Sequence, residues 1–229
     1  MKIAIVCAME DEIRLLRDKM QNAADCEQAG IHLTTGALCG AEVMLCLGGI
    51  GKANAAATAQ YAICAFQPDY LLNIGLAGNC TGTLPLGGAV LADRLVYHDF
   101  SMAFAAENPP YTEFYTPDPL LLETAASVLE QLGVPYVKGT VATGDQFIQD
   151  EGVKNDIVAR TGASAVEMEG AAFAHICQKN GKPFLNIKIM SDNAGDGALD
   201  DFHASLSMAD YCARSVSILE GIAAALMQR

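Results

Sequence analysis

The feature that most constrains this chain is a repeated alternation of short apolar runs with segments of helical periodicity. The first run, residues 2–8, is continuous and rich in β-branched residues, which predicts a buried strand. Residues 10–20 follow with apolar side chains at Ile13, Leu16 and Met20, the spacing of one helix face. Because strands that alternate with helices favour parallel pairing, the pattern predicts an α/β fold with a twisted, mixed, mostly parallel central sheet flanked by helices on both faces.

The same pattern continues along the chain. Further strands are predicted at 31–38, 42–47, 69–74, 88–97, 137–143, 164–166 and 184–190, and further helices at 52–66, 119–132, 151–160, 169–179 and 204–227. Residues 98–117 break the pattern with three prolines and five aromatic residues, so we expect a functional or interfacial loop there. No repeat or linker interrupts the chain, and we expect one domain over residues 1–229.

Composition excludes several classes of function. The net charge is -13, which repels phosphate backbones, so we expect no nucleic-acid partner. No apolar run approaches the ~18 residues of a membrane span, and the acidic stretch Glu10–Glu12 comes too early for a signal peptide, so we expect no membrane partner. The eight cysteines form no C-x-x-C pair and several lie in apolar runs, which indicates reduced core residues and a cytoplasmic protein.

The sequence contains no complete motif for nucleotide or metal binding. The glycine turn Gly48–Gly51 precedes Lys52, but the first glycine of a phosphate loop is missing and Ala53 stands where Ser or Thr is needed. The acidic loop after Asp192 breaks the calcium-loop pattern at Ala194. The histidines show no metal-ligand spacing (His32, His98, His175 and His203). We therefore expect neither a metal ion nor a cofactor.

Three carboxylates follow predicted strands and could share one site. Glu12 follows the first strand, Glu169 follows the strand at 164–166, and Asp192 ends the last strand. In an open α/β sheet, ligands bind beyond the carboxyl ends of the strands, so parallel strands would bring all three into one crevice. Phe147 and Ile148 offer an apolar slot for a flat ring. Taken singly, each carboxylate is better explained as a helix cap or surface group than as a catalyst, but their joint placement favours a pair of acid and base groups.

The chain also resembles a known family. Six segments carry the resemblance, in this order: Ala8–Glu12, Gly49–Lys52, Gly75–Gly78, Thr143–Ile148, Val166–Glu169 and Ser191–Asp192. Together they resemble the purine nucleoside phosphorylase/nucleosidase superfamily, and within it the 5′-methylthioadenosine/S-adenosylhomocysteine nucleosidases. The resemblance covers almost the whole chain.

That resemblance implies a homodimeric hydrolase with a nucleoside phosphorylase-like fold, which cuts the N-glycosidic bond of adenine nucleosides to give adenine and a thioribose product. It implies catalytic roles for Asp192 as general acid at purine N7, Glu12 as base for the water, and Glu169 as ligand of the ribose hydroxyls. It implies that Ser191 orients Asp192. The substrate-binding residues that it implies are Phe147, Ile148, Met168, Glu167, Ala77, Gly78, Leu76, Ile50, Ser191 and Lys188. Met102 and Phe104 would reach the 5′ pocket of the partner subunit.

Two departures from the family pattern leave more than one function open. Leu76 stands where the family has Ser, and Lys188 where it has Arg. Leucine donates no hydrogen bond and lysine lacks the planar fork of arginine, which weakens phosphate binding and therefore a phosphate-dependent phosphorylase. A futalosine-type nucleosidase and a non-catalytic binding or storage protein are also compatible with these two residues.

Overall fold

A computed structural model describes residues 1–200 and 208–229, without the side chains of residues 11–13, 208 and 209. Its strands are β1 (Lys2–Cys7), β2 (Gln21–Gln28), β3 (Ile31–Leu38), β4 (Ala41–Leu47), β5 (Tyr70–Asn79), β6 (Ala89–Tyr97), β7 (Tyr136–Thr143), β8 (Ala163–Glu167) and β9 (Phe184–Asp192). Its helices are α1 (Glu10–Lys19), α2 (Lys52–Phe66), α3 (Met102–Glu107), α4 (Pro119–Gln131), α5 (Glu151–Thr161), α6 (Gly170–Lys179) and α7 (Met208–Met227).

The strands form one mixed sheet in the order β2-β3-β4-β1-β5-β8-β7-β6-β9, and β9 also pairs with β5. The parallel pairings are β1–β4, β1–β5, β5–β9, β6–β7 and β7–β8, whereas β2–β3, β3–β4, β5–β8 and β6–β9 are antiparallel. The extra pairing of β9 with β5 closes five strands, β5, β8, β7, β6 and β9, into a ring. The sheet is therefore mixed and mostly parallel, as predicted.

Both faces of the sheet are covered. Ile3 and Ile5 of β1 enter one apolar cluster, and Ala4 and Val6 enter the other, as the two-residue period of a strand requires. Helices α1 and α4 pack with α7, whereas α2 packs with α6. This two-sided burial explains why β1 is continuously apolar rather than alternating.

The structure adds two elements to those that the sequence predicts. Strand β2 has no apolar alternation because all eight of its residues are exposed, and antiparallel pairing with β3 defines it instead. Helix α3 lies inside the stretch predicted as a loop. Of the C-terminal helix predicted at 204–227, residues 204–207 lie outside the described part. Among the described residues, no helix is long and apolar enough to cross a membrane.

Candidate active site

A cavity of about 320 Å³ opens beside the ends of β1, β5, β8 and β9. A pocket of this size suits a small molecule. Its walls come from chain segments far apart in sequence, namely Ala8, Met9, Ile50, Asn73–Gly78, Gln146–Ile148, Val166–Glu169, Lys188, Ser191, Asp192 and Leu199. Apolar groups dominate these walls, and the polar groups are few, so each polar contact carries weight in recognition.

Asp192 is the last residue of β9 and is almost completely buried. The Ser191 hydroxyl donates to Oδ2 at 2.8 Å, and the Ala194 amide donates to Oδ1 at 2.8 Å. Gly78 lies against this carboxyl group, because a Cβ at that position would be 3.0 Å from Oδ1 and 2.7 Å from the Ala194 side chain. The two donors and the close glycine hold the carboxyl group in one orientation in the cavity wall.

Glu169 is buried at the start of α6, directly after β8. Its Oε1 accepts the Gly51 amide at 2.8 Å, and its Oε2 lies 3.9 Å from Lys188 Nζ. Gly51 has a φ of +97°, a backbone conformation that favours glycine. The glycine turn that precedes α2 therefore holds a carboxylate through its backbone rather than cradling a phosphate.

Glu167 and Lys188 form a buried ion pair behind Glu169. The Nζ of Lys188 lies 2.7 Å from Glu167 Oε2, and the side chains are 2% and 1% exposed. Glu167 also accepts the Thr143 hydroxyl and the amides of Glu169 and Gly170. With this many donors, the Glu167 carboxylate is stabilised in place at the junction of β8 and α6.

Phe147 and Ile148 line another wall of the cavity, in the segment that follows β7. Ile148 is buried against the cluster of Val96, Ala142 and Val166, whereas Phe147 is 44% exposed. A half-exposed ring beside a cavity can stack on a flat ligand ring. This wall therefore suits an aromatic base.

Behind the Asp192 wall lies the thiol of Cys80, which packs against the same cluster. Burial raises the pKa of Cys80 to about 12, and the nearby Asp192 and Glu151 act in the same direction while Lys154 opposes them. The thiol therefore stays neutral at ordinary pH. It therefore adds no negative charge next to the Asp192 carboxyl group.

The structure brings most of the predicted site residues to this one cavity. Those that line it are Asp192, Glu169, Phe147, Ile148, Met168, Glu167, Ala77, Gly78, Leu76, Ile50, Ser191 and Lys188. Their roles stay predictions. Glu12 lies in the first turn of α1, next to the lining residues Ala8 and Met9, but its side chain lies outside the described part. Met102 and Phe104 lie on α3 and not in the described wall of their own chain's cavity.

The strand that places Glu169 at the cavity, β8, does not run in the expected direction. Strand β8 runs antiparallel to β5, and only their last residues pair, with Gly78 opposite Val166 and Asn79 opposite Ala165. The two carboxyl ends therefore overlap although the strands approach from opposite directions. Glu169 meets Asp192 at the cavity because Gly78 of β5 pairs with Val166 of β8 on one side and with Asp192 of β9 on the other. The expectation that parallel strands alone would gather the carboxylates was therefore wrong for β8.

Sequence reasoning missed several residues of the site. Thr143 bonds both Glu167 and the Ala171 amide, and Asn73 lines the cavity while its side chain donates to the Val6 carbonyl. Asn73 carries a signal, since it is a polar residue among the apolar residues of β5, whereas Thr143 ends a strand that contains other polar residues. Leu199 and Gln146 also line the cavity, and neither carries such a signal.

Potential metal ligands are scattered over the described residues. Within that part of the chain, no three His, Cys, Asp or Glu side chains come together as a metal site would require. Of the possible ligands in the sequence, His203 and the last aspartate of the acidic loop that follows Asp192, Asp201, lie outside the described part. Among the described residues, the polar groups that line this cavity are its carboxyl groups, the Lys188 ammonium group, the Ser191 hydroxyl, the side-chain amides of Asn73 and Gln146, and backbone groups.

This chain is similar to known proteins in both sequence and fold. Residues 2–223 match the phosphorylase superfamily. The chain is 38% identical over 211 residues to a 5′-methylthioadenosine/S-adenosylhomocysteine nucleosidase of Bacillus velezensis, covering 88% of this chain and 91% of that one.

Solved structures of similar proteins extend the comparison. The S-adenosylhomocysteine nucleosidase of Streptococcus pyogenes, in complex with 5-methylthiotubericidin, superposes with a TM-score of 0.92 at 32% identity, covering 99% of this chain and 97% of that one. The futalosine hydrolase of Helicobacter pylori superposes with a TM-score of 0.89 at 29% identity and covers 96% of each chain.

Proposed function

Since this chain belongs to the phosphorylase superfamily and, within it, to the 5′-methylthioadenosine/S-adenosylhomocysteine nucleosidases, we propose that it hydrolyses 5′-methylthioadenosine and S-adenosylhomocysteine. The products are adenine and the corresponding thioribose. The observation that supports this most is one cavity lined by the Asp192 carboxyl, the Glu169 carboxyl and the ring of Phe147. Residues 1–229 act as one domain in this proposal.

Asp192 is the general acid of the proposed reaction. It gives a proton to purine N7 as the bond between C1′ and N9 breaks and its electron pair passes to the base. Adenine then leaves as a neutral molecule. The hydrogen bonds from Ser191 and the Ala194 amide aim the Asp192 carboxyl at one position, which is what a positioned acid requires.

Glu12 is the general base in this proposal. It accepts a proton from the water molecule whose oxygen forms the new bond to C1′. Its support is the position of the α1 first turn directly after Ala8 and Met9, which line the cavity. After the reaction, Asp192 has lost a proton and Glu12 has gained one. Proton exchange with solvent then returns both groups to their starting protonation states.

Glu169 binds the ribose hydroxyls and faces the positive charge that develops on the sugar ring. A fixed carboxylate near such a charge lowers the barrier because it needs no reorganisation during the reaction. The amide of Gly51 and the ammonium group of Lys188 hold Glu169 for this role. Met168 packs on the sugar, and Phe147 stacks on the base next to Ile148.

A panel of nucleosides tests the proposal. Purified protein is assayed for release of free base from methylthioadenosine, adenosylhomocysteine, adenosine and futalosine, with and without phosphate. We expect adenine from the first two at rates indifferent to phosphate. No release from any nucleoside would reject the proposal, and tight adenine binding without turnover would support a non-catalytic binding protein.

A futalosine-type nucleosidase has an observation of its own. The chain is similar to a futalosine hydrolase over 96% of its length, and the cavity contains Leu76 where the family has Ser. In the nucleoside panel, release of base from futalosine at a higher kcat/KM than from methylthioadenosine would favour this substrate. The residues that hold the base and ribose would keep the same roles.

We also propose a homodimer in the cytoplasm. The surface around α3 exposes four large aromatic side chains, Phe100, Phe104, Tyr111 and Phe114, and such a surface suits a protein partner. In the dimer, Met102 and Phe104 would reach the 5′ pocket of the partner. Light scattering should give twice the chain mass of 24.1 kDa, and a Phe104→Asp variant should give the monomer mass.

A further inference from the structure

Three charged side chains form a cluster at the edge of the cavity, which we call the Lys52 cluster. It consists of Lys52, Asp99 and Asp145. The Nζ of Lys52 lies 2.7 Å from both carboxylate oxygens of Asp99 and 3.5 Å from Oδ2 of Asp145. The Asp145 amide donates to Asp99 Oδ2 at 2.9 Å, so each of the three residues contacts the other two.

Asp145 caps helix α2 from a distant part of the chain. The residue at the N-cap position is Gly51, which has no side chain to accept a hydrogen bond. Oδ1 of Asp145 accepts the Lys52 amide at 3.0 Å instead, across 93 residues of sequence. A carboxylate at a helix N-terminus satisfies an amide that has no partner within the helix and interacts favourably with the helix dipole.

The Lys52 cluster connects two walls of the cavity. On one side, the Gly51 amide that precedes the cap donates to Glu169 at 2.8 Å. On the other side, Phe147 follows Asp145 by two residues, and the Gly144 amide before it donates to the Glu167 carbonyl at 3.0 Å. A shift of Asp145 would therefore move the support of Glu169 and the ring of Phe147 together.

We propose that Asp145, with Lys52 and Asp99, is a positioning residue that holds the Glu169 wall and the Phe147 wall of the cavity in fixed relation. The cluster does not touch the reacting atoms. This inference rests on the proposed function, because Glu169 and Phe147 are taken to bind the ribose and the base. It adds a residue that acts through both of them at once.

The charges of the cluster suit this role. Partial burial alone would raise the pKa of Asp99, but the hydrogen bonds from Lys52 and the Asp145 amide lower it overall, so Asp99 remains ionised. The side chains of Lys52 and Asp99 are only 24% and 25% exposed, less than in an ordinary surface ion pair. A pair that is partly shielded from solvent keeps its geometry better than an exposed one, so its loss should affect substrate binding as well as stability.

Two substitutions of Asp145 separate its function as a helix cap from its negative charge. Asp145→Ala removes the cap of α2, and Asp145→Asn keeps an oxygen that can accept the Lys52 amide. With methylthioadenosine, we expect Asp145→Ala to raise KM about five- to tenfold, because loss of the cap loosens both walls that bind the nucleoside, and to change kcat less than threefold. Asp145→Asn should restore KM to within about threefold of the wild type.

Asp118→Ala is the matched control. Asp118 caps α4 by accepting the Leu121 amide at 3.1 Å, and none of the described residues that line the cavity comes from α4. This variant loses a cap of the same kind and should lower the melting temperature by a similar amount. We expect its KM to stay within about twofold of the wild type.

Hydrogen exchange gives a readout that needs no turnover. Peptides covering residues 49–52 should exchange about five- to tenfold faster in Asp145→Ala than in the wild type and Asp118→Ala. If Asp145→Ala matches Asp118→Ala in both KM and exchange, the inference is overturned. A wild-type protein that releases no base would reject the proposed function, and the exchange comparison, with the affinity for free adenine in place of KM, would still decide the inference.

Discussion

The ammonium group of Lys188 lies 2.7 Å from the carboxylate of Glu167, and both side chains are almost completely buried. The Lys188 ammonium is also 3.9 Å from Glu169, so one cation serves two carboxylates at the back of the cavity. Lysine has a compact charge and no planar fork, so its strong contact is with one carboxylate. Here that partner is Glu167, while the Gly51 amide bonds Glu169.

Replacing Lys188 with Met should lower the free energy of unfolding by about 3–5 kcal/mol, because it leaves the buried Glu167 without its cation. Urea denaturation followed by circular dichroism measures this change. Lys188→Arg, which keeps the charge, should lose much less. The double variant Glu167→Gln with Lys188→Met should recover part of the loss, and a single variant as stable as the wild type would contradict the assignment.

Replacing Asp192 with Asn should lower kcat for methylthioadenosine about 10²–10⁴-fold, because an amide cannot deliver the proton. The nucleoside should still bind, since the amide keeps the shape of the side chain. Base release under saturating substrate measures kcat, and calorimetry measures binding. Ser191→Ala, which removes one hydrogen bond to Asp192, should cost about tenfold or less. Near-normal turnover of Asp192→Asn would exclude Asp192 as the acid.

Replacing Leu76 with Ser should widen the range of nucleosides that are hydrolysed. Leu76 lines the cavity and packs on the main apolar cluster, so it makes the surroundings of the attacking water less polar. The ratios of kcat/KM across the nucleoside panel measure the range. Leu76→Met keeps an apolar side chain of similar volume and should keep the wild-type ratios. An unchanged profile in Leu76→Ser would contradict this role of Leu76.

Stability should fall as the pH drops below about 6.5, and His98 should contribute to that fall. Burial lowers the pKa of His98 and the charges of Arg160 and Lys52 lower it further, although Asp99 and Glu167 oppose the shift. Among the described residues, the buried Nε2 of His98 has no hydrogen-bond partner, and the ring packs closely on Gly144. Below the ordinary histidine pKa, the unfolded chain therefore binds more protons than the folded one, until the pH passes the folded pKa.

Urea denaturation between pH 5 and 7.5 tests this expectation. His98→Gln should reduce the slope of the unfolding free energy against pH, whatever its effect on stability at pH 7.5. The pKa of His175 is also lowered by burial, so His175→Gln should remove a separate part of the slope. An unchanged slope in His98→Gln would show that His98 does not carry the predicted proton difference.

The elements were predictable where burial imposes a pattern. Strands β1, β5 and β9 are apolar because both faces of the sheet are covered, and the sequence shows them plainly. Strand β2 was not predictable, because an exposed edge strand needs no apolar residues and depends on its partner β3. Helix α3 was hidden by the prolines and aromatic residues around it.

The residues of the site also divide into those that the sequence predicts and those that it does not. Asp192 and Glu169 were predictable, because each is an acid at or just after the end of an apolar strand and lies in a segment that resembles a known family. Thr143, Asn73 and the Lys52 cluster were not, although Thr143, Lys52 and Asp145 also lie in such segments, because their roles come from partners more than 20 residues away. Sequence spacing carries no information about such partners.

By itself, the sequence determined which segments are strands and helices, which residue types are available for chemistry, and that no phosphate loop is formed. Those properties follow from local periodicity and side-chain chemistry. Only the tertiary structure decided that β8 runs antiparallel to β5, that Lys188 pairs with Glu167, and that Asp145 caps a helix 93 residues before it. These depend on how the sheet closes on itself, and that closure is set by packing between distant segments.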